Sequence, residues 1–281
     1  MKTGHAVRAA VALAFAGVGT TGVTGCSLAA PKAAETAGTV KRAADSVESM
    51  TAALDSASDS ATKAGSAEVR MRVASPDTGG RPVDMTGTYS WGNGYAMQAE
   101  IPAAQAQMQE LVKDGTVTMR LVQGSYYYEV DPLPSGEFKG RRWLKVEASA
   151  LIGEAGAAQL NGPAANPTSG LKALKWSKGV EKVGTEDVNG RSAVHYKATV
   201  PLEKLDEGTT ETWKALGATS SEVVVDVWVD DKGMPARLAQ NGGTTHMTMD
   251  FLSFGAAADI AAPPADEVAD VSEAVKKDKT G

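Results

Sequence analysis

The sequence predicts an α+β protein built on a single curved antiparallel sheet of roughly nine to eleven strands, with about three or four helices covering one face. Three observations carry this. Between residues 64 and 255, apolar and polar residues alternate in run after run, the period of a strand that is greasy on one face only. The runs are joined by turn sequences such as WGNGY, NGR, DDKG and NGG, where glycine is free to take a positive φ. Between groups of strands the alternation gives way to a helical rhythm.

The chain of 281 residues opens on a leader, residues 1–25. Lys2 and Arg8 supply positive charge, AVALAFAGVG a short apolar core, and VTGC the end. That core is too short for a permanent membrane helix. Small residues before a cysteine form a bacterial lipobox, so cleavage is expected before Cys26, with acyl chains on its sulfur. The alternative is an ordinary secretory leader with an incidental cysteine. Residues 26–38, CSLAAPKAAETAG, read as the lipidated cysteine and a polar tether. Cys26 is the one cysteine, so no internal disulfide can staple the exported chain. Loss of the leader, which has two cations and no acid, takes the net charge from −6 to −8. Such a balance suits neither nucleic acid nor a purely electrostatic hold on a membrane.

Residues 39–265 read as one domain and 266–281 as a charged tail. In TVKRAADSVESMTAALDSASDSATKAG, Val40, Val47, Leu54 and Ala61 recur every seven residues, with Ala44, Met50 and Ala57 between them. Gly65 is the expected stop. AEVRMRVAS then sets Val69, Met71 and Val73 against Glu68, Arg70 and Arg72. RPVDMTGTYSW continues with Met85 and Tyr89, and YAMQAEI with Met97. AAQAQMQELVKDG takes up a helical pattern through Met108, Leu111 and Val112. TVTMRLVQG and SYYYEV form a hairpin carrying Met119, Leu121, Tyr126 and Tyr128, and RRWLKVE a further strand.

The span from Ala148 to Gly179 is rich in Ala, Gly and Pro, with helical pieces around Leu151 and from Thr168 to Trp176. Its stretch from Gly153 to Gly170 is too poor in large apolar residues to pack firmly and is expected to form a mobile rim. VEKVGTEDV and SAVHYKATV pair across NGR, the second placing Val194 and Tyr196 on one face. PLEKLDEGTTETWKALG is a helix with Leu202, Leu205, Trp213 and Leu216 for packing. Last comes a meander from Ser221 to Gly255. Val223, Val225, Val227 and Val229 share a face against Glu222, Asp226 and Trp228, and Met247, Met249 and Phe251 share a face in the returning strand.

Catalytic signals are sparse. His195 sits on a polar strand face and His246 in TTHMTM, with no Gly-x-Ser-x-Gly elbow or HExxH helix beside either. Both read as ordinary strand histidines. Asp226, Asp230 and Asp231 lack the spacing of a calcium loop and read as strand and turn. GNGYAM lacks the third glycine of a dinucleotide loop and links two strands. No cofactor, metal or enzymatic activity is expected.

What remains is the apolar face. Met71, Met85, Met97, Met119, Met247 and Met249 occupy strand positions on one side. Methionine is pliable, so this face fits either flexible chains or a plain core in which Met fills gaps.

The runs VEKVGTEDVNGRSAVHYKATV and VVVDVWVDDKGMPARL, with the exit DIAAPPADEV, resemble the actinobacterial lipoproteins of the LppX–LprG type, fold relatives of the LolA and LolB lipoprotein carriers. The resemblance covers most of the chain after Ala64 and is strongest from Val180 onward. It implies a half-barrel sheet whose concave face is plugged by helices, with a lipid held between the two. The residues that would line such a cavity are Val69, Met71, Val73, Met85, Tyr89, Met97, Met119, Leu121, Tyr126, Tyr128, Val194, Tyr196, Val223, Val225, Val227, Met247, Met249 and Phe251. The function expected is an acyl-chain carrier or chaperone on the outer face of the cell membrane. It would be anchored through Cys26, bind a lipid, glycolipid or lipoprotein, and hand over to an envelope transporter or acceptor protein. The alternative is a closed-core structural or signalling lipoprotein that works through surface contacts with another envelope protein.

Overall fold

A computed structural model of the protein describes residues 46–76, 79–92, 95–132, 134–160, 166–168, 171, 174, 177, 179–205, 207–255 and 259–280. The leader, Cys26, the tether, Val40, Ala44 and Trp176 lie outside the described residues.

The first described element is helix α1 (Val47–Ala64). Ser46 caps it, its hydroxyl accepting from the Ser49 N–H at 3.2 Å, and Gly65 ends it in the left-handed region at φ 73°. Met50, Leu54, Ala57 and Ala61 are its buried stripe, at spacings of three and four residues. The expected heptad runs out at the first turn, where Val47 stays 56% exposed.

Six strands follow: β1 (Ser66–Ala74), β2 (Val83–Ser90), β3 (Ala96–Pro102), β4 (Thr116–Val122), β5 (Ser125–Glu129) and β6 (Trp143–Glu147). Helix α2 (Ser149–Gln159) leads towards the second half: β7 (Val180–Val188), β8 (Arg191–Pro201), helix α3 (Glu207–Ala215), β9 (Glu222–Asp230), β10 (Pro235–Asn241) and β11 (His246–Phe254). All eleven strands join one sheet, in the order β6-β5-β4-β3-β2-β1-β11-β10-β9-β8-β7, with every neighbour antiparallel. β11 closes back on β1, and this pairing seats the second half of the chain beside the first. The sheet is curved and unclosed, as expected of an α+β half-barrel.

Two expectations need correction. Among the described residues the strand count is twelve, because β12 (Val268–Asp270) pairs parallel to β6 at the far edge. The charged tail is thereby part of the fold: β12 runs into helix α4 (Ser272–Thr280), which packs on β6 and α2. Three residues are too few to show a strand period. The stretch after Pro102 is a series of turns and not a helix. Gln107 stands at φ 54°, and the Met108 N–H bonds to the Ala103 carbonyl at 2.8 Å. The coil so formed buries Ala103, Ala106 and Met108 together. A straight helix would point Met108 to the side opposite the two alanines.

The two free edges are guarded differently. β12 is short. β7 presents Glu181, Lys182, Glu186 and Asp187 and carries a bulge between Lys182 and Gly184. Charge, bulge and shortness all discourage pairing with a foreign strand. At the centre, Gly87 lets β2 and β3 approach closely. A Cβ there would fall 2.1 Å from the Gln98 carbonyl oxygen and 2.6 Å from the Ala99 Cα.

Candidate functional site

The strand registers align the apolar residues into rows that run across the sheet. One row is Val83, Val73, Met247, Gln240, Val225 and Ala198. The next is Met85, Met71, Met249, Leu238, Val227 and Tyr196. A third is Tyr128, Met119, Ala99, Gly87, Val69 and Phe251. The fourth is Tyr126, Leu121, Met97, Tyr89, Ala67 and Phe254. Val223 opposes Val200, and Val194 opposes Val229, on the same face.

All eighteen residues expected on the apolar face are thus brought to one side of the sheet. Seventeen are buried there and Val194 is half-buried at its margin. Sequence reading missed Leu238 and Gln240, because a bulge between Pro235 and Arg237 breaks the alternation that would have marked them.

A helical layer covers this face. α1 lies over β1, β7, β9 and β10, and α2 packs on α3, β6 and α4. Leu54, Leu151, Ile152, Trp213, Met108, Leu171 and Leu174 join the sheet residues in one continuous core. Each large side chain withdrawn from water here contributes roughly 1.5–3 kcal/mol to holding the layers together. Trp213 wedges against β10's exit, where a Cβ on Gly242 would come within 2.8 Å of its ring. Where it is described, the stretch expected to form a mobile rim makes hydrogen bonds to α1. Asn166 donates to the Thr62 hydroxyl at 2.9 Å and accepts from both the N–H and hydroxyl of Thr168, while Ser58 donates to the Thr168 carbonyl at 3.0 Å. Asn166 and Thr168 are buried despite their polarity, which apolar density alone could not reveal.

At one end of the face four tyrosines gather. Tyr89 and Tyr95 pack edge-on with centroids 5.6 Å apart, and Tyr126 and Tyr128 stack at 6.4 Å. Burial pushes the phenols of Tyr89, Tyr126 and Tyr128 well above their ordinary value, so all are neutral.

The opposite face of the sheet is polar, with a small apolar patch of Val188, Ala193, Trp228 and Ala236. There His195 bridges two carboxylates, Nδ1 to Glu186 at 2.9 Å and Nε2 to Asp226 at 2.8 Å. Both ring nitrogens are engaged by these carboxylates. Asp230 orders the DDKG turn by accepting from the Lys232 and Met234 N–H groups. Among the described residues no group of three or more His, Cys, Asp or Glu is placed to hold a metal ion.

No protein-family model matches the chain. An uncharacterized 31.2 kDa protein of Streptomyces griseus is 27% identical over 214 residues, covering 68% of this chain and 70% of that protein. A putative lipoprotein of Streptomyces coelicolor is 27% identical over 226 residues, covering 75% of this chain and 71% of that one. Among solved structures, the Mycobacterium tuberculosis lipoprotein LppX superposes with a TM-score of 0.52 at 14% identity, over 77% of this chain and all of LppX. The chain has the LppX fold.

Proposed function

We propose that the protein is an exported lipoprotein, tethered to the outer face of the cell membrane through Cys26, that holds the acyl chains of a lipid, glycolipid or lipoprotein between sheet and helices. It acts as a carrier or chaperone in the envelope, catalyses no reaction, binds no nucleic acid, and passes its cargo to an envelope transporter or acceptor protein. The observation that carries this reading is the helix-covered apolar face itself, with Met71, Met85 and Met249 side by side at its centre. Thioether side chains can reshape around a flexible guest at little cost. The LppX fold and the lipoprotein relative in Streptomyces coelicolor support the same reading. It is tested by extracting natively produced protein into organic solvent and identifying co-purified lipid by mass spectrometry. Protein that carries none, and takes none up from vesicles, sinks the carrier function.

One observation favours the closed-core reading. Met71, Met85, Met249 and their neighbours are buried almost completely. An acyl chain therefore enters only if the helical layer lifts or the methionines turn aside. A lipoprotein whose layer never lifts would work through its surface alone.

A further inference from the structure

Among the described residues, the Tyr126 hydroxyl and the Trp213 indole N–H are hydrogen-bond donors in the apolar layer that have no partner. Their residues are 1% and 0% exposed. They sit in different halves of the sheet, Tyr126 beside the β4–β5 turn and Trp213 against Gly242 at the β10–β11 turn. A buried donor without an acceptor is costly, and folded proteins seldom leave one so unless something else fills the place. The indole can only donate. What both positions lack is an acceptor.

We propose that the Tyr126 hydroxyl is a ligand subsite: it donates a hydrogen bond to a neutral acceptor, an ester or amide carbonyl, on the molecule held between sheet and helices. This rests on the carrier reading above. The surroundings select the acceptor's charge. Leu121 and Val146 oppose Tyr126 on either side, and Met97 and Tyr89 continue its row. None of these can neutralise an anion. The cations of the neighbouring strands, Arg120 and Lys145, lie opposite Tyr127, whose side chain points to the other face of the sheet. A carboxylate brought here would be buried unpaired, which costs far more than one phenol hydrogen bond returns. A carbonyl flanked by hydrocarbon suffers no such penalty. A neutral carbonyl is therefore favoured at this subsite, and an ionised free fatty acid is disfavoured.

The test uses wild type and Tyr126→Phe, with two probes of equal length: a pyrene-tagged fatty-acid methyl ester and a pyrene-tagged alkane. Tyr126→Phe is expected to weaken the ester about tenfold and leave the alkane unchanged. The infrared band of a ¹³C-labelled ester carbonyl should shift on binding to wild type, and the shift should vanish in the variant. Without ligand, the variant should melt no lower than wild type, because no hydrogen bond has been removed. Equal losses for ester and alkane would make Tyr126 a packing residue only. An unchanged ester affinity, or a lowered melting temperature without ligand, would mean that the hydroxyl already has a partner such as a buried water. Each of these overturns the subsite while leaving the carrier reading intact. Wild type that binds neither probe overturns both.

Discussion

His195 and Trp228 lie face to face on the outer side of the sheet, their ring centroids 4.1 Å apart and 15° from parallel. The pair joins three strands. His195 of β8 reaches Glu186 of β7 and Asp226 of β9, and the Trp228 indole donates to the other Glu186 oxygen at 2.8 Å. Arg237 of β10 approaches the same Trp228 ring at 5.6 Å. One carboxylate of edge strand β7 thus ties side chains of β7, β8 and β9 together.

That fastening predicts a pH dependence. The Trp228 hydrogen bond first, and that of His195 second, hold the Glu186 carboxyl below its ordinary value of 4.5. A depressed carboxylate stabilises the fold above its unfolded pKa and stops doing so as pH falls through the folded one. Wild type should melt higher than Glu186→Gln near neutral pH, and the gap should close below the ordinary carboxylate range. Melting curves of both proteins between about pH 7 and pH 3 check this. Parallel curves would show that Glu186 contributes no pH-dependent stability.

Gly87 gives a sharper structural prediction. Any Cβ there meets the backbone of β3, which cannot rotate away as a side chain could. Gly87→Ala should cost at least the roughly 1–3 kcal/mol of an overpacked core, several degrees of melting temperature. Gly184→Ala, with nothing near its missing Cβ, is the control and should change little.

How far these features were legible in the sequence follows from their range. The face of each long strand was readable, since alternation is local and the registers kept it: Val69, Met71 and Val73 lie where their spacing put them. Leu238 was hidden by a bulge, and β12 by its length. Gln107 gave no warning of its left-handed φ, which accompanies the burial of Met108 beside it. The His195 bridge depends on two pairings made elsewhere in the chain. The Tyr126 hydroxyl is defined by an absent partner, which no pattern of residues can announce.

Asn166 should act as a latch between its own segment and α1. Asn166→Ala removes the acceptor of the buried Thr168 N–H and hydroxyl, a loss of about 1–3 kcal/mol. Amide exchange at Thr168 should speed in the variant and stay slow in the strand from Val223 to Val229. Exchange at Thr168 that is already fast in wild type would restore the mobile rim in place of the latch.

Anchoring is tested through VTGC. Cys26→Ser should either release the protein from membranes or leave it unprocessed. Mature-sized Cys26→Ser protein that still fractionates with membranes would remove the lipoprotein assignment.

The decisive contrast between an openable layer and a closed core lies at Val225. Its side chain is 2% exposed, in a row with Met247, Gln240 and Ala198. An indole placed there has two possible outcomes. If the helical layer lifts for an acyl chain, it also lifts for Trp, and the guest is what loses its place. Each methylene so displaced forfeits about 0.8 kcal/mol, and several together remove most of the affinity. If the core is closed, the same substitution overpacks it, costing roughly 1–3 kcal/mol of stability. Val225→Trp is therefore expected to melt within about 2 °C of wild type, below the shift that 1 kcal/mol would give, while binding of a fluorescent acyl ester falls more than about tenfold. Glu222→Trp, on the other face of β9, should keep both stability and binding. A sharply lowered melting temperature for Val225→Trp, together with wild type that never takes up lipid, would make the face a plain core and the surface-acting lipoprotein the correct reading.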